Sequence, residues 1–227
     1  MENIENKRFH CIIFDCDGVL VDSEIIASRV SLKMLKPFGF DMDPREYAKI
    51  FAGKVEEDIL SIIKQDYKIE LPEDFISRLR LEIEHDLDHE LQPIKGAREI
   101  ISRLKLKKAV VSNSRLVRVL RSLAVAGLKE DFDRKIFSVE MVKRPKPFPD
   151  IYLHAAKELN VEPHRCLVVE DSKSGATSAK NAGMNVIGFL GASHIPEGHD
   201  VTLKEVGAFT TVNNMEELDT LLKELIS

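Results

Sequence analysis

The stretch Phe9-His-Cys-Ile-Ile-Phe-Asp-Cys-Asp-Gly-Val-Leu-Val-Asp-Ser23 decides how this chain is read. Cys11 to Phe14 is apolar without alternation, which suits a parallel strand covered on both faces. The run ends on two acids two positions apart, Asp15 and Asp17, followed by Gly18. The pair Asp22-Ser23 then predicts a helix cap. An apolar strand has little reason to finish on two carboxylates unless they face a cleft and hold something positive. A candidate active site therefore lies within the first tenth of the sequence.

Working outward, apolar runs rich in β-branched residues recur with helical segments between them. They predict strands over Phe9–Asp15, Lys108–Ser112, Lys135–Ser138, Arg165–Val169, Asn185–Phe189 and Phe209–Val212. Helical spacing follows at Ala97/Ile100/Ile101/Leu104, at Ile151–Leu159, and at Gly175–Ala182, which ends on Gly183 as a C′ glycine. Strands alternating with helices imply a three-layer α/β domain on a mainly parallel sheet. The alternation fails from about Asp22 to Glu90. There the patterns at Ile26/Val30/Met34, Glu46–Ile50, Val55–Lys64 and Phe75–Leu87 are all helical, punctuated by Gly39, Gly53 and Leu71-Pro72-Glu73. The expected division is a catalytic core of residues 1–21 and 91–227 with a small helical insert over 22–90. An insert leaving just after the two acids hangs over the C-terminal edge of the sheet, where open α/β sheets bind ligands.

Composition narrows the function classes. The 227 residues carry 33 basic and 38 acidic side chains, a net charge of −5, and are 44% hydrophobic. That balance predicts neither nucleic-acid nor membrane binding, and the cluster Lys105–Lys108 reads as a solvated helix end. The N-terminus is polar, and no apolar stretch approaches the roughly 18–20 residues of a membrane span. Cys11, Cys16 and Cys166 lack the spacing of a zinc site and are odd in number, which fits buried thiols in a reducing cytoplasm. Cys16, between the acids, is placed so that its oxidation would disturb the site. The histidines His85, His89, His154, His164, His194 and His199 lack ligand spacing and are expected at the surface.

Four polar clusters fall at or just beyond predicted strand ends: Asp15/Asp17, Ser112-Asn113-Ser114-Arg115, Lys146 within Arg144–Tyr152, and Glu170-Asp171-Ser172. Parallel strands bring them to one edge. Two unit charges about 4 Å apart repel by roughly 4 kcal/mol at an effective dielectric near 20, so gathered carboxylates call for a cation. With oxygen ligands only, Mg²⁺ is the natural ion, and it leaves room for a substrate phosphate.

These four clusters resemble, in order and over nearly the whole chain, the motifs of the haloacid-dehalogenase-like hydrolases. The helical insert is similar to the α-helical cap of the β-phosphoglucomutase and phosphoglycolate-phosphatase branch, and Phe14–Ser23 with Glu24 and Ser28-Arg29 resembles bacterial sugar-phosphate phosphatases of the 6-phosphogluconate type. The resemblance implies a Rossmann-like core and a Mg²⁺-dependent phosphomonoester hydrolase acting through an aspartyl-phosphate on a small phosphorylated metabolite. Asp15 would be the nucleophile and Asp17 the acid/base, with a raised pKa while Asp15 stays ionised. Asp15, Asp17, Asp171 and Glu170 would form the metal site, and Ser112, Asn113 and Lys146 would hold the phosphoryl oxygens. Lys54 and Arg115 are candidates for gripping the rest of the substrate. A monomer is expected, since a cap can cover the site without a partner subunit.

A phosphosugar mutase shares all four motifs. Its cap histidine corresponds to Ala27 here, and its cap arginine, which grips a second phosphate, corresponds to Glu56, where an acid repels one. Asp17 argues against a dehalogenase or phosphonatase, which lack that acid. The large insert argues against a non-enzymatic phospho-receiver. Hydrolysis is the favoured outcome.

Overall fold

The computed structural model describes residues 9–51, 54–132 and 134–226. Within them, β1 (Cys11–Phe14), β2 (Lys107–Ser112), β3 (Ile136–Ser138), β4 (Cys166–Glu170), β5 (Asn185–Phe189) and β6 (Ala208–Val212) form one sheet. The order is β3-β2-β1-β4-β5-β6, and every pairing is parallel. The chain thus winds outward in both directions from β1. The order reverses between β1 and β4, and the crevice beyond their carboxyl ends is where a ligand site forms in such a sheet.

The unbroken apolar runs have a direct structural cause: both faces of the sheet are covered. Ile12, Phe14, Val110, Leu167 and Val169 point into one core, and Cys11, Ile13, Ala109, Val111 and Val168 into the other. Between β1 and β2 the chain forms α1 (Glu24–Leu35), α2 (Pro44–Phe51), α3 (Glu56–Tyr67) and α4 (Phe75–Glu90). It continues through α5 (Ala97–Arg103), α6 (Leu116–Val125), α7 (Asp150–Leu159), α8 (Lys173–Asn181), α9 (His199–Glu205) and α10 (Met215–Ile226). Helices α5, α6 and α10 cover the first core with Ile100, Val119 and Leu218, while α7, α8 and α9 cover the second with Ile151, Ala176 and Leu203.

The inserted helices leave and return through adjacent strands of backbone. Asp22 N donates to Gln92 O at 3.0 Å, Ile94 N donates to Leu20 O at 3.0 Å, and Val21 and Pro93 form an antiparallel bridge. The insert buries its own apolar residues, among them Phe40, Tyr47, Ile63, Phe75 and Leu79, and these join the first core. Among the described residues no helix is long and apolar enough to cross a membrane.

Candidate active site

β1 delivers Asp15 directly to the crevice, where its backbone N–H is held by Val169 O at 3.0 Å. The turn that follows requires Gly18. Its φ is +82°, and a Cβ there would lie 1.9 Å from Asp171 Oδ2, so the backbone passes against the acid delivered by β4. Lys146 reaches in from the loop after β3. Its Nζ donates to Asp15 Oδ1 at 2.5 Å, to Glu170 Oε1 at 2.5 Å and to Val111 O at 3.2 Å. Glu170 is wholly buried and also accepts from Tyr152 Oη at 2.9 Å, Ser172 N at 3.1 Å and Ser172 Oγ at 3.0 Å. A buried charge requires such saturation. Asn113 spends its side chain on the peptide of Lys146, accepting from its N–H at 2.9 Å and donating to its carbonyl at 3.3 Å.

Asp17 has a different environment. Ser23 Oγ donates to its Oδ1 at 2.5 Å, and Ser112 Oγ and Ser114 Oγ donate to its Oδ2 at 3.1 and 2.8 Å. Arg118, from the first turn of α6, lies 3.6 Å from Oδ1. Burial pushes the Asp17 carboxyl up, but Arg118 and the three hydroxyls outweigh it and hold the group below the ordinary carboxylate range. Burial drives the Asp15 carboxyl well above that range; Glu170, Asp171 and Asp17 add to the rise and Lys146 opposes it. These directions are the reverse of those the acid/base and nucleophile roles imply, because at Asp17 Arg118 and the hydroxyls outweigh burial, whereas at Asp15 burial outweighs Lys146 and the neighbouring acids add to it. Ser23 does not cap α1 as expected. It sits at the N-cap without a capping hydrogen bond, since its hydroxyl is given to Asp17, and Asp22 instead accepts from Ser193 N and Oγ at 3.2 and 3.0 Å.

A cavity of about 60 Å³ opens between these residues and the inserted helices. It is lined by Asp15, Asp17, Ser112, Asn113 and Lys146 below and by Glu24, Ala27, Ser28, Tyr47, Lys54 and Glu56 above. Lys54 is thus at the cavity, though exposed. Arg115 is not in the lining; it is exposed on the rim, 3.5 Å from Glu140. The cation in the lining is Arg118, half-buried on the first turn of α6, with Nη1 3.3 Å from Glu56 Oε1. Burial, with Asp17 adding, pushes the Glu24 carboxyl up to about 7.

Asp15, Glu170 and Asp171 are buried and can each offer one oxygen such that all lie within 4.8 Å of one another. Burial is the main cause of the rise at both Asp15 and Asp171, opposed by Lys146 at Asp15 and by His194 at Asp171, and three carboxylates stand here around the one lysine. An oxygen-only donor set with surplus negative charge suits a hard divalent cation such as Mg²⁺. His194 corrects the surface expectation for the histidines. It is 3% exposed, and its Nε2 lies 3.2 Å from Asp171 Oδ2, because the loop after β5 folds over the crevice. His199, half-buried, meets Asp171 O through Nε2 at 2.6 Å. All three cysteines are buried and unbridged, and burial with the neighbouring acids pushes the Cys16 thiol well up, away from the reactive thiolate.

A family model described as haloacid dehalogenase-like hydrolase matches residues 12–189, spanning β1 through β5 and every cluster above. The chain is a haloacid dehalogenase-like hydrolase. It is 34% identical to the 6-phosphogluconate phosphatase of Escherichia coli K12 over 213 residues, covering 93% of this chain and 95% of that one. It is 33% identical to the phosphorylated carbohydrates phosphatase of Thermotoga maritima over 224 residues, covering 95% and 99% of the two chains. Its fold matches the crystal structure of a haloacid dehalogenase-like protein of unknown function from Agrobacterium tumefaciens, with a TM-score of 0.86, 38% identity and coverage of 95% and 98%.

Proposed function

We propose that this hydrolase cleaves phosphomonoesters of small phosphorylated sugars or sugar acids, using Mg²⁺ at Asp15, Asp171 and Asp17, with Glu170 beside them. The phosphatase names of its relatives support the reaction class. The observation that carries the reading is the division of one strand end into two environments. Asp15 lies against Lys146 and the acidic cluster, whereas Asp17, two residues on, lies against hydroxyls and a guanidinium. Two carboxylates with separate environments take separate roles.

A bound Mg²⁺ supplies positive charge against the phosphoryl oxygens and against the carboxylates that raise Asp15. Asp15 forms a bond to phosphorus as the ester P–O bond breaks, giving an aspartyl-phosphate. Asp17, ionised while Arg118 and the serines hold it, takes up a proton from solvent when they release it and gives that proton to the departing alkoxide. It then takes a proton from water, whose oxygen attacks phosphorus and breaks the bond to Asp15. Lys146, held by Glu170 and by Asn113 at its peptide, stabilises the charge on the transferring group. Ser112 and Asn113 line the same place.

Helices α1–α4 stand over the cavity through Glu24, Ala27, Ser28, Tyr47, Lys54 and Glu56, and act as a cap, hinged at the paired segments 20–22 and 92–94, that opens to admit substrate.

The test is phosphate release from p-nitrophenyl phosphate with and without Mg²⁺. Turnover should need the metal, and Asp15→Asn should abolish it with the fold intact; full activity in that variant overturns the reading. Conversion of a sugar 1-phosphate to the 6-phosphate without phosphate release would establish the mutase instead.

A further inference from the structure

Besides Lys146 the cavity lining holds two cations among the described residues, Lys54 and Arg118, and Arg118, 12% exposed, is already engaged. Arg118 contacts Glu56 Oε1 at 3.3 Å and Asp17 Oδ1 at 3.6 Å, one guanidinium between two carboxylates. Glu56 is held in turn from behind: Arg80 Nη2 lies 3.4 Å from its Oε2 and 2.6 Å from Glu57 Oε1. The chain Arg118–Glu56–Arg80–Glu57 joins α6 to α3 and α4 with two cations and two anions. Glu24 adds a further acid to the same cavity wall, while Lys54, the remaining cation of the lining, is exposed and screened by solvent. Ser28, Ser31 and Tyr47 line the space from the inserted helices, and Ser112, Ser114 and Ser172 from the sheet side.

We infer that Glu56 is a specificity-determining residue: by occupying Arg118 across the cavity it reserves the site for phosphomonoesters with an uncharged, hydroxyl-rich body and turns away substrates carrying a second anionic group. This rests on the phosphatase reading and narrows it from sugars or sugar acids to neutral sugars and polyols. A substrate carboxylate or second phosphate would have to displace Glu56 from Arg118 while standing near Glu24 and Asp17, and like charges brought together in a partly buried site cost heavily. A hydroxyl, by contrast, donates to Glu56 or Glu24 and accepts from Ser28 or Ser31 without any charge being moved. The cation that would bind a second anion is present but masked, so masking rather than absence sets the preference.

That distinction gives the test. Phosphate release is measured on glucitol 6-phosphate, gluconate 6-phosphate and fructose 1,6-bisphosphate, with p-nitrophenyl phosphate as the control for chemistry. The wild type should favour glucitol 6-phosphate over gluconate 6-phosphate by about tenfold or more in kcat/KM, a difference of about 1.4 kcal/mol. Glu56→Gln, which keeps the shape and removes the charge, should shrink that ratio about tenfold, chiefly through a lower KM for the two anionic substrates. Adding Arg118→Ala to Glu56→Gln should remove the gain, because the unmasked guanidinium is what the new anion binds. A wild type that prefers gluconate 6-phosphate, or an unchanged ratio in Glu56→Gln while p-nitrophenyl phosphate is still turned over, overturns the inference and leaves the phosphatase reading standing. Loss of Mg²⁺-dependent turnover on p-nitrophenyl phosphate in the wild type overturns both.

Discussion

At residue 18 the backbone runs so close to Asp171 that a side chain has nowhere to go. Gly18→Ala should therefore displace the Asp171 carboxylate, for the Cβ would sit 1.9 Å from Oδ2 at a φ of +82°. We expect Mg²⁺-dependent turnover to fall by at least about a hundredfold, with destabilisation of the order of 1–3 kcal/mol from backbone strain; a near-normal variant in both assays would contradict the close approach. Lys146 balances two buried acids, so Lys146→Met leaves Asp15 and Glu170 uncompensated and should cost about 3–5 kcal/mol in urea unfolding. Glu24 gives a pH signature. Its carboxyl rises from an ordinary 4.5 to about 7, so between these values the folded state binds more protons than the unfolded chain. Stability should then fall as pH rises from about 5 to about 7, by an amount of order 1 kcal/mol once water in the cavity is allowed for. Glu24→Gln should flatten that slope in metal-free denaturation curves. Asp15, Asp17, Lys146, Glu170 and Asp171 were all legible in the sequence, since strand-end polar residues announce themselves. Arg118, Tyr152 and His194 were not, because each enters the site from an element whose direction only packing sets. Arg115, the N-cap of α6, lies outside the cavity lining, which Arg118 three residues on joins.

At the level of elements, β4 and α8 are joined through Ser172. Its Oγ accepts from Gly175 N at 3.0 Å, capping α8, and donates to Glu170 Oε2 at 3.0 Å. Gly175 is needed because a Cβ there would lie 1.7 Å from Glu170 Oε1. Ser172→Ala removes a cap worth about 1 kcal/mol and leaves a buried carboxylate short of a donor, so we expect about 2–3 kcal/mol in all. A loss no larger than the cap alone, read from thermal and urea unfolding, would show that Glu170 does not depend on it. The sheet strands were legible because burial on both faces writes unbroken apolar runs. Helices α6, α9 and α10 lie outside the segments whose spacing predicts a helix. The short α9 buries only Leu203, whereas α6 and α10 bury Val119 with Leu123 and Met215 with Leu218 and Leu222 at helical spacing. The cap expected at Asp22-Ser23 failed because a buried acid outbid the helix for the serine hydroxyl.

Across the whole molecule, the inserted helices and the sheet domain meet through charges as well as apolar contacts. Arg121 on α6 pairs with Glu84 and Asp88 on α4, one turn beyond the Arg118–Glu56 contact. Arg121 is exposed, so Arg121→Ala should change global stability by no more than about 1 kcal/mol. It should nevertheless loosen the cap, seen as faster proteolysis near residues 21–23 and 91–93 and a shallower response to salt, since the variant lacks the attraction that salt screens; equal cleavage rates in variant and wild type would refute an electrostatic closure. By itself the sequence determined the parallel sheet, the place of the insert and the acids and lysine at one edge, because strand period and strand-end polarity are local properties of the chain. Only the tertiary structure decided which groups those acids face. That Asp15 meets acids, that Asp17 meets Arg118, and that Glu56 masks the same arginine depend on helices distant in sequence closing over one crevice, and the electrostatics of a buried site follow from its neighbours in space.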